Sequence, residues 1–350
     1  MPTTLPTQTR TINQAFTDTW QKIQAEVTDN VLTSTPLTAA LQARGIFQTQ
    51  AGGDQYTETV GYGTLDSEVK YIGKGSKLVA ADSELDTTAR WTPRNLAIPS
   101  RRTPQDDVVN RGEYQIKSYI ERRLQATRDA LSKELETALI RASGAETRSE
   151  FQSIQDAVPN AANRATGTYG LITRCSAYSD DSADAQDEVP NSASSTVNPW
   201  WAPRYRKFTE PVAVNLETDM RAIYNKVADN FDPPDLIVTT QQIMQQYEET
   251  VGDKAQITVG VDTSVAKLGF QEFYYKQASM VYSTNCPTST MFFLTTPFWK
   301  FIYDPMLWFT MTDWVEVAGE HAFQASIIVR GNLICNHLRR QGRLYRASVG

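Results

Sequence analysis

The stretch TPQDDVVNRGEYQIKSYIERRLQATRDALSKELETALIRAS, Thr103 to Ser143, predicts one long amphipathic helix. Thr103 can cap the N-terminus of this helix, and Pro104 suits its first position. Charged residues occupy one face, and apolar residues at helical spacing form the other, namely Ile116, Ile120, Leu124, Leu131, Leu135 and Ala138. At about 1.5 Å per residue, the part from Gly112 onward would extend roughly 45–50 Å. That length favours a scaffold strut over an ordinary globular helix.

Two shorter helices are predicted upstream. The first has an apolar stripe with steps of three and four residues, formed by Ile12, Phe16, Trp20, Ile23 and Val27. The second is LTAALQARG, which Gly45 would end as a C-cap.

Residues 46–100 are rich in Thr, Gly, Tyr and Val, and they predict extended strands punctuated by glycine. The first thirty positions offer little to bury, which is typical of a two-stranded arm that projects from a body. An isolated hairpin is only marginally stable in water, so we expect this arm to lean on another surface, such as a neighbouring subunit. GKGSK, Gly73 to Lys77, departs from the phosphate-binding loop pattern and predicts a hairpin tip.

Beyond the long helix the sequence alternates between strand and helix patterns. The short motif YGLI precedes the acidic run of residues 176–197, which predicts a solvated loop, with weak calcium binding as an alternative. Helices at Leu216–Val227 and QQIMQQYEETV, together with strands such as PDLIVTT, predict an α+β domain of about a hundred residues. The C-terminal region predicts one long strand, or two strands broken near Gly331.

The stretch NPWWAPRY, Asn198 to Tyr205, places two tryptophans at the exit of the acidic run. Residues before proline favour extended geometry, and neighbouring side chains of an extended segment point to opposite sides. We therefore expect Trp200 and Trp201 to occupy different surroundings. One would plug the subunit's own core, and the other would cover the long helix or a neighbouring subunit.

Composition limits the class of protein. Of 350 residues, 40% are hydrophobic and 21% are charged, which is compatible with a folded core. The net charge of −6 argues against a dedicated nucleic-acid binder. The three scattered cysteines predict reduced thiols, and the N-terminus lacks the features of a secretory signal. The most apolar region is interrupted by prolines and charges, so we expect a soluble protein with no membrane span.

Catalytic chemistry is not indicated by any motif. Cys335 and His337 could face one side of a strand, but a zinc site needs further ligands, so a structural pair is expected. No nucleophile, base and orienting group can be assembled from the motifs. We therefore predict no catalytic residue, no cofactor and no metal.

The order of several short sequence words resembles that of a known family. STPLTAALQARG precedes GGDQYTETVGYG, ARWTPRNLAIP and the long helix, and YGLI, NPWW, PDLIVTT, LGF and NLICNHLRRQGRLY follow. This succession, from about residue 12 to 346, resembles the major capsid proteins of tailed bacteriophages with the Hong Kong 97-like fold.

The resemblance implies an α+β fold with a division of labour along the chain. It implies an N-terminal arm (1–50), an extended β-hairpin loop (51–90), a peripheral domain (91–204) with spine helix 103–143 and acidic loop 176–197, an axial domain (205–310), and C-terminal strands returning to the peripheral domain (311–350).

The function that the resemblance implies is self-assembly into an icosahedral shell around double-stranded DNA, without sequence-specific binding and without a membrane. Hexamers and pentamers would form the shell in the host bacterial cytoplasm, and the protein would end in the virion. Partners would be a separate scaffolding protein, a portal and possible decoration proteins. Residues with an assembly or structural role would be Trp20, Tyr62, Trp91, Trp200, Trp201, Lys70, Lys74 and Lys77. Covalent crosslinking through those lysines is not expected.

Two other functions stay open at this point. An encapsulin-type compartment shell would have a similar fold and would hold a protein cargo. A soluble carbohydrate-binding protein rich in strands would use the aromatic residues between Phe292 and Trp314. The simpler interpretation of those aromatics is that they form strand core.

Overall fold

The computed structural model describes residues 35–62, 71, 84–104, 126–127, 129–131, 133–141, 150–160, 167–175, 178–180, 184–190, 198–228, 232–252 and 273–346. The α-helices that it describes in full are α1 (Pro36–Ala43), α2 (Ile154–Ala157), α3 (Val212–Val227) and α4 (Gln241–Gly252). Its strands are β1 (Phe47–Thr49), β2 (Tyr56–Gly61), β3 (Asp86–Trp91), β4 (Arg94–Arg102), β5 (Thr168–Tyr169), β6 (Ile172–Thr173), β7 (Tyr178–Asp180), β8 (Asp187–Pro190), β9 (Arg204–Lys207), β10 (Leu236–Thr239), β11 (Phe273–Tyr275), β12 (Ala278–Tyr282), β13 (Thr290–Leu294), β14 (Trp299–Tyr303), β15 (Thr310–Met311), β16 (Val315–Glu316), β17 (Phe323–Cys335) and β18 (Gly342–Tyr345).

The first sheet is built around β17, which pairs with β4, β14, β15 and β16. Its alternating pattern buries Ala325, Ile327 and Val329, as the sequence predicts. Of the two predicted alternatives, the break near Gly331 is wrong, because β17 is one long strand through this residue; the chain leaves it only after Cys335, and β18 follows as a separate strand. A side chain at Gly331 would lie 2.7 Å from the carbonyl oxygen of Ile302, so the glycine allows two strands to approach closely.

The second sheet has the strand order β11-β12-β10-β13-β18-β9-β8-β7, with α3 and α4 packed against it. Strand β10 is buried on both faces. Helix α3 buries Leu216, Met220, Ile223 and Val227, which confirms the predicted helix and its apolar face. A side chain at Gly342 would meet the Val227 side chain at 2.5 Å, so glycine allows α3 to pack tightly on β18.

The chain crosses between the two sheets twice near its C-terminus. Strand β13 lies in the second sheet, whereas β14 pairs with β17 in the first. Strand β18 then pairs with β13 and β9 in the second sheet. The domain boundaries proposed from the sequence stay a prediction, and these crossings show which strands each sheet contains.

The acidic run does not form a solvated loop where the structure describes it. Residues 178–180 and 184–190 contribute β7 and β8, which extend the second sheet beyond β9. Asp187 and Glu188 are buried. The prediction failed because basic side chains on β9 and α3 neutralise these carboxylates, as described below.

The long helix is described only in part. Residues 126–127, 129–131 and 133–140 are helical, and Leu131, Leu135 and Leu139 are buried in the larger core. Residues 105–125 lie outside the described part of the chain. The same holds for residues 1–34, with Trp20, and for Lys70, Lys74 and Lys77.

Candidate assembly region at the base of the β2–β3 hairpin

Strands β2 and β3 form an antiparallel hairpin with one buried face. Tyr56 pairs with Trp91 and Gly61 pairs with Asp86. Tyr56, Val60, Ala89 and Trp91 are buried, and the residues between them are partly or fully exposed. An ion pair of 2.7 Å between Glu58 and Lys300 ties the hairpin to β14. Strands β2 and β3 are thus fixed to the body of the subunit.

Trp91 packs against the short β5–β6 hairpin that carries YGLI. Its ring lies edge-on to that of Tyr169, with centroids 5.8 Å apart. Gly170 and Leu171 both have positive φ, as a two-residue type I′ turn requires. A side chain at Gly170 would lie 2.8 Å from Cζ2 of Trp91, so the glycine lets the turn press flat on the indole.

Trp201 connects three separate segments of the chain. It is 1% exposed, and its Nε1 donates a hydrogen bond of 3.0 Å to the carbonyl oxygen of Tyr169. The hydroxyl oxygen of Tyr169 in turn accepts a bond of 3.0 Å from the backbone N–H of Cys335 at the end of β17. Burial raises the pKa of Tyr169 well above its usual value, so this hydroxyl stays neutral.

Trp200 contacts the hairpin directly. Its ring stacks on that of Tyr62 with centroids 4.8 Å apart and 20° between the planes. Tyr62 also donates through its hydroxyl to Oε2 of Glu84, at 3.3 Å, on the opposite side of the hairpin. The two strands and the junction before β9 therefore meet at Tyr62.

The predicted extended geometry of NPWW is wrong. The backbone N–H of Trp201 donates to the carbonyl oxygen of Asn198 at 3.0 Å, which closes a turn. Side chains in a turn do not alternate between opposite sides. The ring centroids of Trp200 and Trp201 therefore lie only 5.6 Å apart. The structure thus brings four predicted site residues together, and we call Tyr62, Trp91, Tyr169, Trp200 and Trp201 the aromatic junction.

Tyr169 is the member of the aromatic junction that the sequence reasoning missed. In the sequence YGLI is only a short motif, although a tyrosine immediately before a tight turn is a signal for an anchored hairpin. Its contacts to Trp91 and Trp201 make it the centre of the group.

A second group, the charge cluster, fixes the acidic strands to the second sheet. The guanidinium of Arg206 lies 2.6 Å from Asp184, 2.8 Å from Asp187 and 2.9 Å from Asp219, and Lys226 lies 2.8 Å from Asp187. Burial opposes the charge of Arg206, but hydrogen bonds to the three carboxylates outweigh it and raise its pKa. The charge cluster acts at this edge of the sheet together with ring packing between Tyr178 of β7 and Tyr205 of β9, whose centroids lie 4.8 Å apart.

The three cysteines are buried and His337 packs against an aromatic ring in the part of the chain that the structure describes. No group of three or more His, Cys, Asp and Glu residues there could hold a metal ion. All three cysteines are buried, and burial raises the pKa of Cys286 and of Cys335 to about 12, which leaves them as thiols. The ring of His337 packs against the ring of Phe298, with centroids 5.2 Å apart. None of the helices described is long and apolar enough to cross a membrane.

Comparison with solved structures finds near full-length matches. A cyanophage A-1(L) capsid asymmetric unit is 17% identical, with a TM-score of 0.55 over 91% of this chain and 94% of that chain. The capsid of a native GTA particle is 10% identical, with a TM-score of 0.51 over 88% and 90%. A chain of Mycobacterium phage Adephagia is 11% identical, with a TM-score of 0.50 over 87% and 90%.

No protein-family model and no curated protein matches the sequence. The likeness therefore lies in the arrangement of helices and sheets, which extends over almost the whole length of each chain. The protein has the Hong Kong 97-like α+β fold of tailed-phage major capsid proteins.

Proposed function

We propose that this protein is a major capsid protein, which assembles into an icosahedral shell around the double-stranded DNA of a tailed phage. The observation that carries the proposal is the match over 91% of this chain and 94% of the cyanophage A-1(L) capsid chain. A match of that extent leaves little of the chain for an added catalytic domain. The role is structural, and the protein resides in the virion.

The hairpin base supports assembly for a physical reason. One face of β2–β3 is docked on the subunit's own core, while Thr57, Thr59 and Thr88 face outward. A two-stranded element gains stability from a further surface. In a shell of identical subunits every copy has neighbours, and several modest contacts per subunit add up to a stable polymer.

The proposed partners follow from the same function. Hexamers and pentamers would build the shell after assembly in the host cytoplasm, with a separate scaffolding protein, a portal and possible decoration proteins. The net charge of −6 suits a container that encloses DNA without gripping it. We expect no crosslinking through Lys70, Lys74 or Lys77, so boiled shells should give monomer bands on a denaturing gel.

The carbohydrate-binding alternative loses support from burial. Of the nine aromatic residues between Phe292 and Trp314, five are buried, namely Phe292, Phe293, Trp299, Phe301 and Phe309. A sugar platform needs exposed rings, whereas these rings fill the core. An encapsulin-type shell would hold a protein cargo, whereas the proposed phage shell holds DNA.

Sedimentation of the purified full-length protein tests the proposal. A shell subunit should sediment as capsomers or larger particles, far above the 39.2 kDa chain. Sedimentation as a monomer at all concentrations would contradict the proposal. Particles recovered with a protein cargo instead of DNA would favour the compartment alternative.

A further inference from the structure

Strands β7 and β8, which we call the acidic strap, lie at one end of the second sheet, beyond β9. The strap is joined to β9 through two residue pairs, Asp187 with Arg206 and Glu188 with Tyr205, whereas β9 pairs with β18 through four. The ring of Tyr178 packs edge-on against that of Tyr205, with centroids 4.8 Å apart. Because the backbone pairing is so short, side chains carry much of the attachment of the strap to the sheet.

The ionic contacts of the strap are more extensive than its strand pairing. Four of its carboxylates each lie within 3.5 Å of a cation on β9 or α3, namely those of Asp180, Asp184, Asp187 and Glu188. Lys207 contacts the first and the last of these, at 2.5 and 3.5 Å, and Lys226 lies 2.8 Å from Asp187. Arg206 lies 2.6 Å from Asp184 and 2.8 Å from Asp187. Three cations thus hold four carboxylates of the strap.

Arg206 is held in place independently of the strap. Its Nε and Nη2 donate to Oδ1 of Asp219 on α3, at 3.1 and 2.9 Å. Asp219 is fully buried, and it also accepts from the backbone N–H and the hydroxyl of Thr209, at 2.7 and 2.9 Å. The remaining nitrogen of Arg206, Nη1, is the one that contacts Asp184 and Asp187. Loss of the strap would therefore leave the pair of Arg206 and Asp219 intact and uncover Nη1.

Acid changes only one side of these contacts. The strap carboxylates become neutral when they are protonated, whereas three cations that face them keep their charge, namely Arg206, Lys207 and Lys226. Asp219 is the carboxylate in the charge cluster that the strap does not supply, and Arg204, two residues before Arg206, adds a cation on the same face of β9. Two phenols beside the cluster, those of Tyr205 and Tyr345, are neutral in acid. Protonation thus removes the attraction to the strap and leaves repulsion among the cations.

We propose that the acidic strap is an acid-released cover over a basic edge of the second sheet. At neutral pH the strap hides β9, and when its carboxylates are protonated it detaches while the rest of the sheet stays folded. Release frees the backbone N–H of Lys207, which donates to the carbonyl oxygen of Gln186 at 2.7 Å when the strap is docked. It also uncovers Nη1 of Arg206, so the subunit exchanges an acidic edge for a basic one. The device belongs to the single subunit and is independent of the proposed shell function.

Hydrogen exchange of the unassembled, full-length subunit, followed by mass spectrometry, tests the release. D184N/D187N at pH 7 removes the two negative charges beside Nη1 of Arg206 without exposing the rest of the protein to acid. Peptides from residues 184–190 should exchange about tenfold faster or more in this variant, whereas those from β10 and β13 should keep their wild-type rates. The matched control is E217Q, since Glu217 also lies on α3 and pairs with the exposed Arg221 at 2.8 Å. That change should leave the exchange of the strap at its wild-type rate.

Wild-type protein at falling pH gives an independent test, which decides the question if the double variant does not fold. After correction for the intrinsic pH dependence of exchange, the strap should lose protection below about pH 4, ahead of β10 and β13, and should regain it at pH 7. The proposal is overturned if the strap of D184N/D187N is as protected as that of wild type. It is also overturned if acid or the double variant removes protection from the strap and from β10 and β13 together.

Discussion

The ring of Tyr62 lies stacked on the ring of Trp200, with 4.8 Å between centroids, and this contact joins the end of β2 to the junction that precedes β9. Trp201 adjoins Trp200 and is anchored in the core through Tyr169. The position of β2 and β3 on the subunit is therefore supported by a stack of rings and by the ion pair between Glu58 and Lys300.

The stacked pair should behave as a coupled unit. Y62A and W200A should each lower the melting temperature of the unassembled subunit, because each removes the same ring contact. The sum of the two single-variant losses in melting temperature should exceed the loss in the double variant by about 1–3 °C. Y62F is the control: it keeps the ring and should retain most of the coupling. Strictly additive losses would show that the stack contributes nothing.

The charge cluster should be sensitive to loss of its central cation. R206M leaves Asp219, which is fully buried, without its charged partner and should cost about 3–5 kcal/mol in the free energy of unfolding. R221M is the matched control, since Arg221 lies on α3, is 58% exposed and pairs with Glu217. That change should cost less than about 1 kcal/mol. Chemical denaturation measures both, and equal costs would refute a special role of Arg206.

The lowered pKa of Asp184 predicts that the protein loses stability in acid. Its hydrogen bond to Arg206 lowers the pKa of Asp184, with burial opposing this effect. A carboxyl whose pKa is lower in the folded state stabilises the protein above its unfolded pKa, near 3.9, and this contribution is lost as pH falls through the folded pKa. The gap in unfolding free energy between wild type and D184N should thus be full at pH 7 and narrow below about pH 4. A gap independent of pH would contradict the assignment.

The raised pKa of Glu136 predicts the opposite dependence of stability on pH. Burial raises the pKa of Glu136, although its hydrogen bond of 2.5 Å from Ser283 opposes the shift. The folded protein then holds a proton that the unfolded chain has lost, so stability falls as pH rises from the unfolded to the folded pKa. E136Q can keep the bond to Ser283 and should be more stable than wild type at pH 7, with little difference below about pH 4. Thermal unfolding at the two pH values measures this, and a less stable variant at pH 7 would contradict it.

Periodicity in the sequence was enough to predict several elements. The steps of four, three and four residues from Leu216 to Val227 predict α3, and the alternation from Ala325 to Val329 predicts the buried face of β17. These patterns succeed because a regular element repeats one side-chain direction along its length. The resemblance to capsid proteins, based on the order of short words, agrees with the fold that the structural comparisons find.

The missed features depend on residues that are distant in sequence or on irregular backbone. Gly331 suggests a break, but it is needed because Ile302 on another strand comes too close for a side chain. The acidic residues of β7 and β8 do not predict strands from the local sequence, because the contacts that hold them come from Arg206 and Lys226, which are distant in sequence. Trp200 and Trp201 follow turn geometry, which rules for extended chains do not describe.

Electron microscopy of the purified, full-length protein tests whether this chain is the subunit of a phage shell. A shell subunit should form closed icosahedral shells, with pentamers at the vertices and hexamers between them, that are empty or filled with DNA. Dispersed monomers at every concentration, or small shells filled with protein, would contradict this role.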